Sequence, residues 1–463
     1  MNERKRTAAG SRALQRIVMV CLVVAGLAFI PVKAALAAPV PDAPKLCGVP
    51  SASGSFGVAT PVQENLNAAR VDAAVDTLST RSRLSVQIFR NNCLVATDPL
   101  NALTASVHDN VWSVTKSVVS LLAGIAIGEH KLGLDAPIGR YLPSGPGWGD
   151  AAHRAITVRD LLTQTGGPRQ SILAEAVTLG ADPSQAQEEL AQPFVYPAGT
   201  HFQYSQLGPA LLAQVVQDAV GRNLASFAQQ KLFGPIGIAA GSYFWLRDRS
   251  GLPYGYSNLF LTPQQLARLG LLMSDQGRWN DRQVVPASYV AAVSRPNATN
   301  GCYGLLFWTN EAQPCTGADI PSAQTLDRRA IPPLPPSAYE MNGTGGQLVV
   351  MIPSLHMTVV TTGYFGSLSP DPPVLLGAAP DEMQWTFFRA LMAAVDDVHV
   401  PDAGPYTGDP LDLNANPMNY INPGVLMTDL FTNPNCNILF CDGSVPTTGL
   451  VQNLRSLPAL LSP

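Results

Sequence analysis

The sequence predicts an α+β fold in which an antiparallel sheet, contributed by distant parts of the chain, is flanked by helices, with a helical stretch inserted at about 135–276. Three observations predict it. Leu84–Arg90 alternates as a strand, turns at Asn91-Asn92 and returns through Cys93–Ala96 as a hairpin. Far downstream, two apolar strands, Leu348–Ile352 and His356–Thr361, are joined through Pro353-Ser354. Most of what separates these pairs carries helical patterning.

The first element is a targeting segment. Arg4, Lys5, Arg6, Arg12 and Arg16 form a positive region, Ile17–Ile30 is an apolar stretch of fourteen, and Ala35-Leu36-Ala37 offers small residues for cleavage before Ala38. The stretch is short for a membrane span. An uncleaved anchor is the competing reading, and the lack of a twin-arginine pair favours general export. Residues 1–37 thus read as an export signal, 38–59 as a Pro/Ala/Ser-rich linker, 60–397 as the domain with the chemistry, and 398–463 as an appendage. The mature chain is expected outside the cytoplasm (extracellular, periplasmic or cell-wall associated), with no stable membrane insertion once the signal is removed.

The following elements come in order. A helix-like segment at Pro61–Thr77 precedes the hairpin, and Val111–Gly128 reads as a buried helix. Gly133–Pro143 closes that helix and turns the chain. Ile156–Gly167 is a short helix with a glycine stop, and 168–195 reads as a variable surface excursion. The turn-rich loop Tyr196–Gln206 feeds a helix at Leu211–Val220. Leu261–Met273 is a helix with Thr262 as cap and Pro263 at its first position. A strand at Tyr303–Trp308, a proline-rich loop and Met341–Gln347 lead into the apolar strands, and Asp381–Val395 closes as an amphipathic helix. From 401 the chain turns rich in Pro, Asn and Gly, which predicts a loop-built appendage without chemistry of its own.

A hydrophobic content of 46% is not that of a disordered chain, and with a net charge of −4 and no Lys/Arg cluster beyond the N-terminus nothing suggests a nucleic-acid partner. Seven cysteines become six once Cys21 leaves with the signal, and an even count in an exported protein favours disulfides over metal. Sequence neighbours suggest Cys47–Cys93, Cys302–Cys315 and Cys436–Cys441, although six cysteines allow about fifteen pairings. Neither Cys-x-x-Cys nor His-Glu-x-x-His occurs, so no metal or other cofactor is expected.

The chemistry is read from Val111–Leu122. Ser113 and Lys116, three apart, stack on one helix face. Ser113 falls in the first turn, where free N–H groups and the helix dipole favour a developing negative charge. Lys116 falls one turn deeper, among apolar residues, where desolvation favours the neutral amine that could take the serine's proton. A snorkelling surface lysine is the alternative. The chain has six lysines, and Lys116 alone follows a serine by three.

With Ser113-Val114-Thr115-Lys116 and the segments that follow it, the sequence resembles the serine beta-lactamase and penicillin-binding-protein superfamily, on its class C branch. That branch includes DD-peptidases, family VIII carboxylesterases and 6-aminohexanoate-dimer hydrolases. The likeness spans about residues 60–397 and rests on motifs recurring in order: Leu134-Asp135-Ala136-Pro137 to Tyr141-Leu142-Pro143, Leu161–Gly166, Pro197-Ala198-Gly199 to Tyr204-Ser205, and Gly345-Gly346-Gln347. It implies a beta-lactamase/transpeptidase-like fold.

The resemblance implies Ser113 as acylated nucleophile, Lys116 as proton acceptor, and Tyr204 as the residue that moves the proton on to the leaving group. Tyr256-Ser257-Asn258 spells the family's second motif in full, but the context of Tyr196-Pro197-Ala198-Gly199 favours Tyr204-Ser205-Gln206. Backbone N–H groups of Ser113 and of Thr344 or Gly343 would form the oxyanion hole, and Gln206, Asn342 and Gly345 would meet the substrate. Relatives carry a cation in the third motif; Glu340–Gly345 has none. That implies a small neutral ester or amide, with Glu340 admitting an amine-bearing one as a lesser option. The competing functions are beta-lactamase or DD-peptidase activity, and a silent binding protein of the same fold. Specificity is expected to lie in 168–195 and 316–340. An α/β-hydrolase is disfavoured by the lack of a Gly-x-Ser-x-Gly elbow.

Overall fold

In the computed structural model, which describes residues 43–79, 83–176, 180–318, 324–363, 382–408, 416, 418 and 421–461, the early hairpin and the late strands meet in one sheet. Its strands are β1 (Arg83–Arg90), β2 (Cys93–Thr97), β3 (Trp308–Thr309), β4 (Tyr339–Gly343), β5 (Gln347–Ile352) and β6 (Met357–Gly363). They lie in the order β2-β1-β6-β5-β4-β3, with every pairing antiparallel. The seam between the chain's two ends is β1 against β6, with Val86 opposite Thr361 and Ile88 opposite Val359. Asn91 and Asn92 turn the hairpin at φ of 49° and 63°, a region asparagine tolerates. The expected export signal lies outside the described residues.

Six helices are the longest among the described residues: α1 (Ala68–Ser79), α2 (Val114–Gly128), α3 (Leu207–Val220), α4 (Pro263–Ser274), α5 (Glu382–Met392) and α6 (Thr448–Leu461). α1 and α5 cover the face bearing Val86, Ile88, Val350, Ile352 and Val359. α2 and α4 cover the face bearing Phe89, Val349, Met351 and Val360. With both faces covered, β5 and β6 are buried throughout, which is why their sequences run apolar instead of alternating. Each such side chain contributes about 1.5–3 kcal/mol by leaving water, before the entropy of ordering it.

Several elements differ from expectation, for physical reasons. The segment at Pro61–Thr77 splits, because Asn65 takes φ 53° between a 3-10 turn and α1. The strand expected at Tyr303–Trp308 shortens to β3. The carbonyls of Leu305 and Leu306 instead accept hydrogen bonds from Ser120 and Ser117, both at 2.7 Å. α3 begins four residues early, at Leu207, because Glu175 caps its first N–H groups from outside. A second small sheet joins Asp109–Asn110, Leu259–Leu261 and Phe244–Trp245, strands too short to show a period. The cysteines pair as neighbours: Cys47–Cys93, Cys302–Cys315 and Cys436–Cys441. Among the described residues no helix is long and apolar enough to cross a membrane.

The larger corrections concern 168–195 and the C-terminal stretch. Instead of a surface excursion, Ser171, Glu175 and the run from Asp182 to Leu190 are buried. Their cover is the C-terminal segment, which is not loop-built: it holds a short helix at Pro423–Met427 as well as α6. Asn422 N donates to Ser171 Oγ at 2.7 Å, Gln192 Nε2 to Asp429 Oδ1 at 2.7 Å, and Gln187 Nε2 to Asp442 Oδ1 at 2.9 Å. Asn453 pairs through its amide with both the N–H and the carbonyl of Arg247, each at 2.9 Å.

This docking buries carboxyls together. Burial, and then the surrounding carboxyls, push Glu188, Glu189 and Asp429 up, and burial takes Asp248 to about 7. The folded protein therefore holds protons that the unfolded chain releases from about pH 4 upward. Stability from these groups is present in acid and is lost as pH rises through their folded values. Calorimetry should show Tm falling between about pH 4, where the unfolded carboxyls release their protons, and about pH 7, the folded value of Asp248, with Asp248→Asn, which keeps an Oδ1 acceptor, flattening the slope. A Tm that rises over that range would contradict this account.

Candidate active site

Every residue of α2 from Val114 to Ala126 is buried, as a helix apolar on all sides requires. The bonds from Ser117 and Ser120 fix its roll against the 303–307 loop. Ser113 stands half-buried at its N-terminal boundary. Lys116, only 1% exposed, donates from Nζ to Ser113 Oγ at 3.0 Å. Burial pushes its amine well below the usual range, and the Glu175 carboxylate opposes that shift.

Tyr204 completes the cluster. Its hydroxyl hydrogen-bonds Ser113, and Lys116 Nζ lies 4.5 Å from its ring centroid. Burial pushes the phenol up, so it stays protonated. Trp308 stacks on its ring at 5.8 Å, and Tyr303 meets it edge-on at 6.2 Å. Tyr256 lies on another flank of Lys116, 5.7 Å from Nζ, its hydroxyl turned to the Glu175 carbonyl at 3.5 Å. Asn258 is engaged by Asn110 at 3.0 Å and Ser257 at 2.6 Å. Of the two candidate tyrosines, Tyr204 is thus the one joined to Ser113.

Gln206 directs its Oε1 to Lys116 Nζ at 2.5 Å, so this acceptor is engaged with the lysine.

β4 brings the second wall. A Cβ on Gly343 would collide with the Val111 carbonyl oxygen and stand 3.2 Å from Ser113 N, so only glycine lets this strand lie against the start of α2. Alternation puts Met341, fully buried in the core beside α2, on the same face as Gly343. Asn342 lies on the other face, donating to Glu340 Oε1 at 2.8 Å, and its described contacts do not join it to Ser113. Beyond Gly343 the chain turns through Thr344, Gly345 and Gly346. The buried Arg83 guanidinium clamps the carbonyls of Gly345 at 2.6 Å and Gly346 at 2.8 Å. These two glycines take φ of 80° and 77°.

Glu175, Arg83 and Met341 were not expected at the site. Met341 was within reach of sequence reasoning, by counting back two residues along the strand from Gly343. Glu175 and Arg83 carry no local signal, since both reach the site through contacts made across the fold.

A family model described as Beta-lactamase matches residues 104–362. An uncharacterised protein of Alkalihalophilus pseudofirmus is 22% identical over 320 residues, covering 62% of this chain and 85% of its own. Esterase EstB of Burkholderia gladioli is 29% identical over 158 residues, 31% of this chain and 40% of that one. The crystal structure of a penicillin-binding-protein homologue from Caulobacter crescentus aligns at a TM-score of 0.50 and 14% identity. It covers 70% of this chain and 97% of its own. The fold is thus beta-lactamase/transpeptidase-like, as the α+β expectation had it.

The close approach at Gly343 yields a test of the geometry. Gly343→Ala should lower stability by about 1–3 kcal/mol, read by thermal unfolding, as backbone must move to admit the methyl. Gly48→Ala, at a glycine with open space around it, should be neutral.

Proposed function

Because this chain belongs to the Beta-lactamase family, we propose that it is an exported serine hydrolase that cleaves a neutral ester or amide through an acyl-enzyme on Ser113. The observation that carries this reading is the 3.0 Å contact between Ser113 Oγ and the amine of a lysine withdrawn from water. The neutral amine of Lys116 takes the Ser113 proton as Oγ attacks the substrate carbonyl carbon. Backbone N–H groups of Ser113 and Thr344 receive the oxyanion. Tyr204, hydrogen-bonded to Ser113, relays the proton from Lys116 to the leaving alkoxide or amine as its bond to the carbonyl carbon breaks. Water then attacks the acyl carbon, the acid departs, and Ser113 regains its proton.

The preference for a neutral substrate is supported by the strand that flanks Ser113: Glu340–Gly345 carries no cation to pair with a substrate carboxylate, and Met341 is packed in the core beside α2. Gln206, engaged with Lys116, acts in this reading on the base, leaving substrate contact to the Gly343–Gly345 backbone. Export is supported by the N-terminal sequence and by three disulfides, which persist in oxidising compartments.

Intact-mass spectrometry after brief exposure to p-nitrophenyl butyrate should show an acyl adduct and released nitrophenol, both absent in Ser113→Ala. Tyr204→Phe should acylate roughly a hundredfold more slowly, in the range of general acid–base contributions. A stable penicilloyl adduct, or turnover of a cephalosporin exceeding that of the ester, would replace this reading with a penicillin-recognising one. No adduct from folded protein would leave a silent binding protein.

A further inference from the structure

Glu175 lies in none of the motifs, yet its carboxylate is buried at the start of α3. Oε2 accepts from the backbone N–H of Gln206 at 2.5 Å and of Leu207 at 2.9 Å, and Oε1 accepts from that of Ser171. Burial pushes the carboxyl up, while these N–H donors and Lys116 favour its charged form. The positive end of the α3 dipole favours that form as well. Through Gln206, one residue joins this carboxylate to the base, since the Gln206 main chain is held by Glu175 and its side chain by Lys116 Nζ at 2.5 Å.

We propose that Glu175 is a positioning residue for the reaction, clamping Gln206 against Lys116 and supplying the negative charge that balances the lysine when it takes the Ser113 proton. The inference rests on the acyl-enzyme reading above. A lysine in dry surroundings is a good acceptor before the proton moves but a costly cation afterwards. A fixed carboxylate nearby lowers that cost where the charge develops. The other groups around the pair leave it as the resident charge. Glu189 and Asp429 are pushed up by burial and by Glu175 itself, which favours their neutral forms, whereas Glu175 is the carboxylate that three backbone N–H groups hold. Tyr256 and Tyr204, which flank Lys116, are pushed up as well and stay neutral.

The test compares the unmodified chain with Glu175→Gln and Glu175→Asp, following p-nitrophenyl butyrate hydrolysis against pH and thermal unfolding in parallel. Removing the charge lowers the proton affinity of Lys116 further, so the acidic limb of kcat/KM in Glu175→Gln should move down by about one pH unit. Its plateau kcat should fall roughly ten- to a hundredfold. Glu175→Asp keeps the charge on a shorter arm and should hold the limb in place with kcat reduced and KM unchanged. An unmoved limb in folded Glu175→Gln, with only Tm lowered, would reduce Glu175 to a helix cap. Should Glu175→Gln not fold, Glu175→Asp decides, and an undiminished kcat there overturns the proposal. Turnover by the unmodified chain that does not depend on Ser113 would instead overturn the acyl-enzyme reading, and this inference with it.

Discussion

The withdrawal of Lys116 from water is the condition on which the rest of the site depends. An ammonium in that position would have to shed its hydration shell, so the amine is held towards its neutral form. That state requires α2 to be enclosed on every side: by β4 and β5, by α3, and by the 303–307 loop bonded to Ser117 and Ser120. Within this enclosure the amine meets Ser113 Oγ, Gln206 Oε1 and the ring faces of Tyr204 and Tyr256. Each can accept from the amine or lie against its charge.

A second constraint is distance. For a backbone N–H of the turn after β4 to share an anion with the N–H of Ser113, the strand must approach α2 more closely than any side chain permits. Gly343 provides that approach, and Arg83, reaching in from the opposite end of the chain, holds the following turn by its carbonyls. Five donors in a rigid planar fork suit Arg83 to this task, because a guanidinium can clamp two carbonyls at once.

The C-terminal segment turns part of the surface into interior. Its contacts with Ser171, Gln187 and Gln192 help enclose the place where Glu175 meets the start of α3, and it brings Asp429 among Glu188, Asp182 and Asp248. Stability and the candidate active site are coupled through this packing, as the loop carrying Ser171 and Glu175 is held between the C-terminal segment on one side and α3 on the other.

By itself the sequence determined whatever depends on neighbours along the chain. The Ser113–Lys116 spacing, the Thr262–Pro263 helix start, the Asn91-Asn92 turn and the apolar runs of β5 and β6 are local patterns, and helix or strand geometry converts each directly into structure. It also favoured Tyr204 over Tyr256, although the latter stands in the fuller motif. Tertiary structure decided whatever depends on residues brought together from afar. Glu175 capping α3, Arg83 clamping the 344–346 turn, and the burial of Ser171 and of 182–190 beside the C-terminal segment leave no period or spacing to read. A carboxylate or guanidinium carries the same local signature whether it ends in solvent or in the core, and only the packed chain decides which.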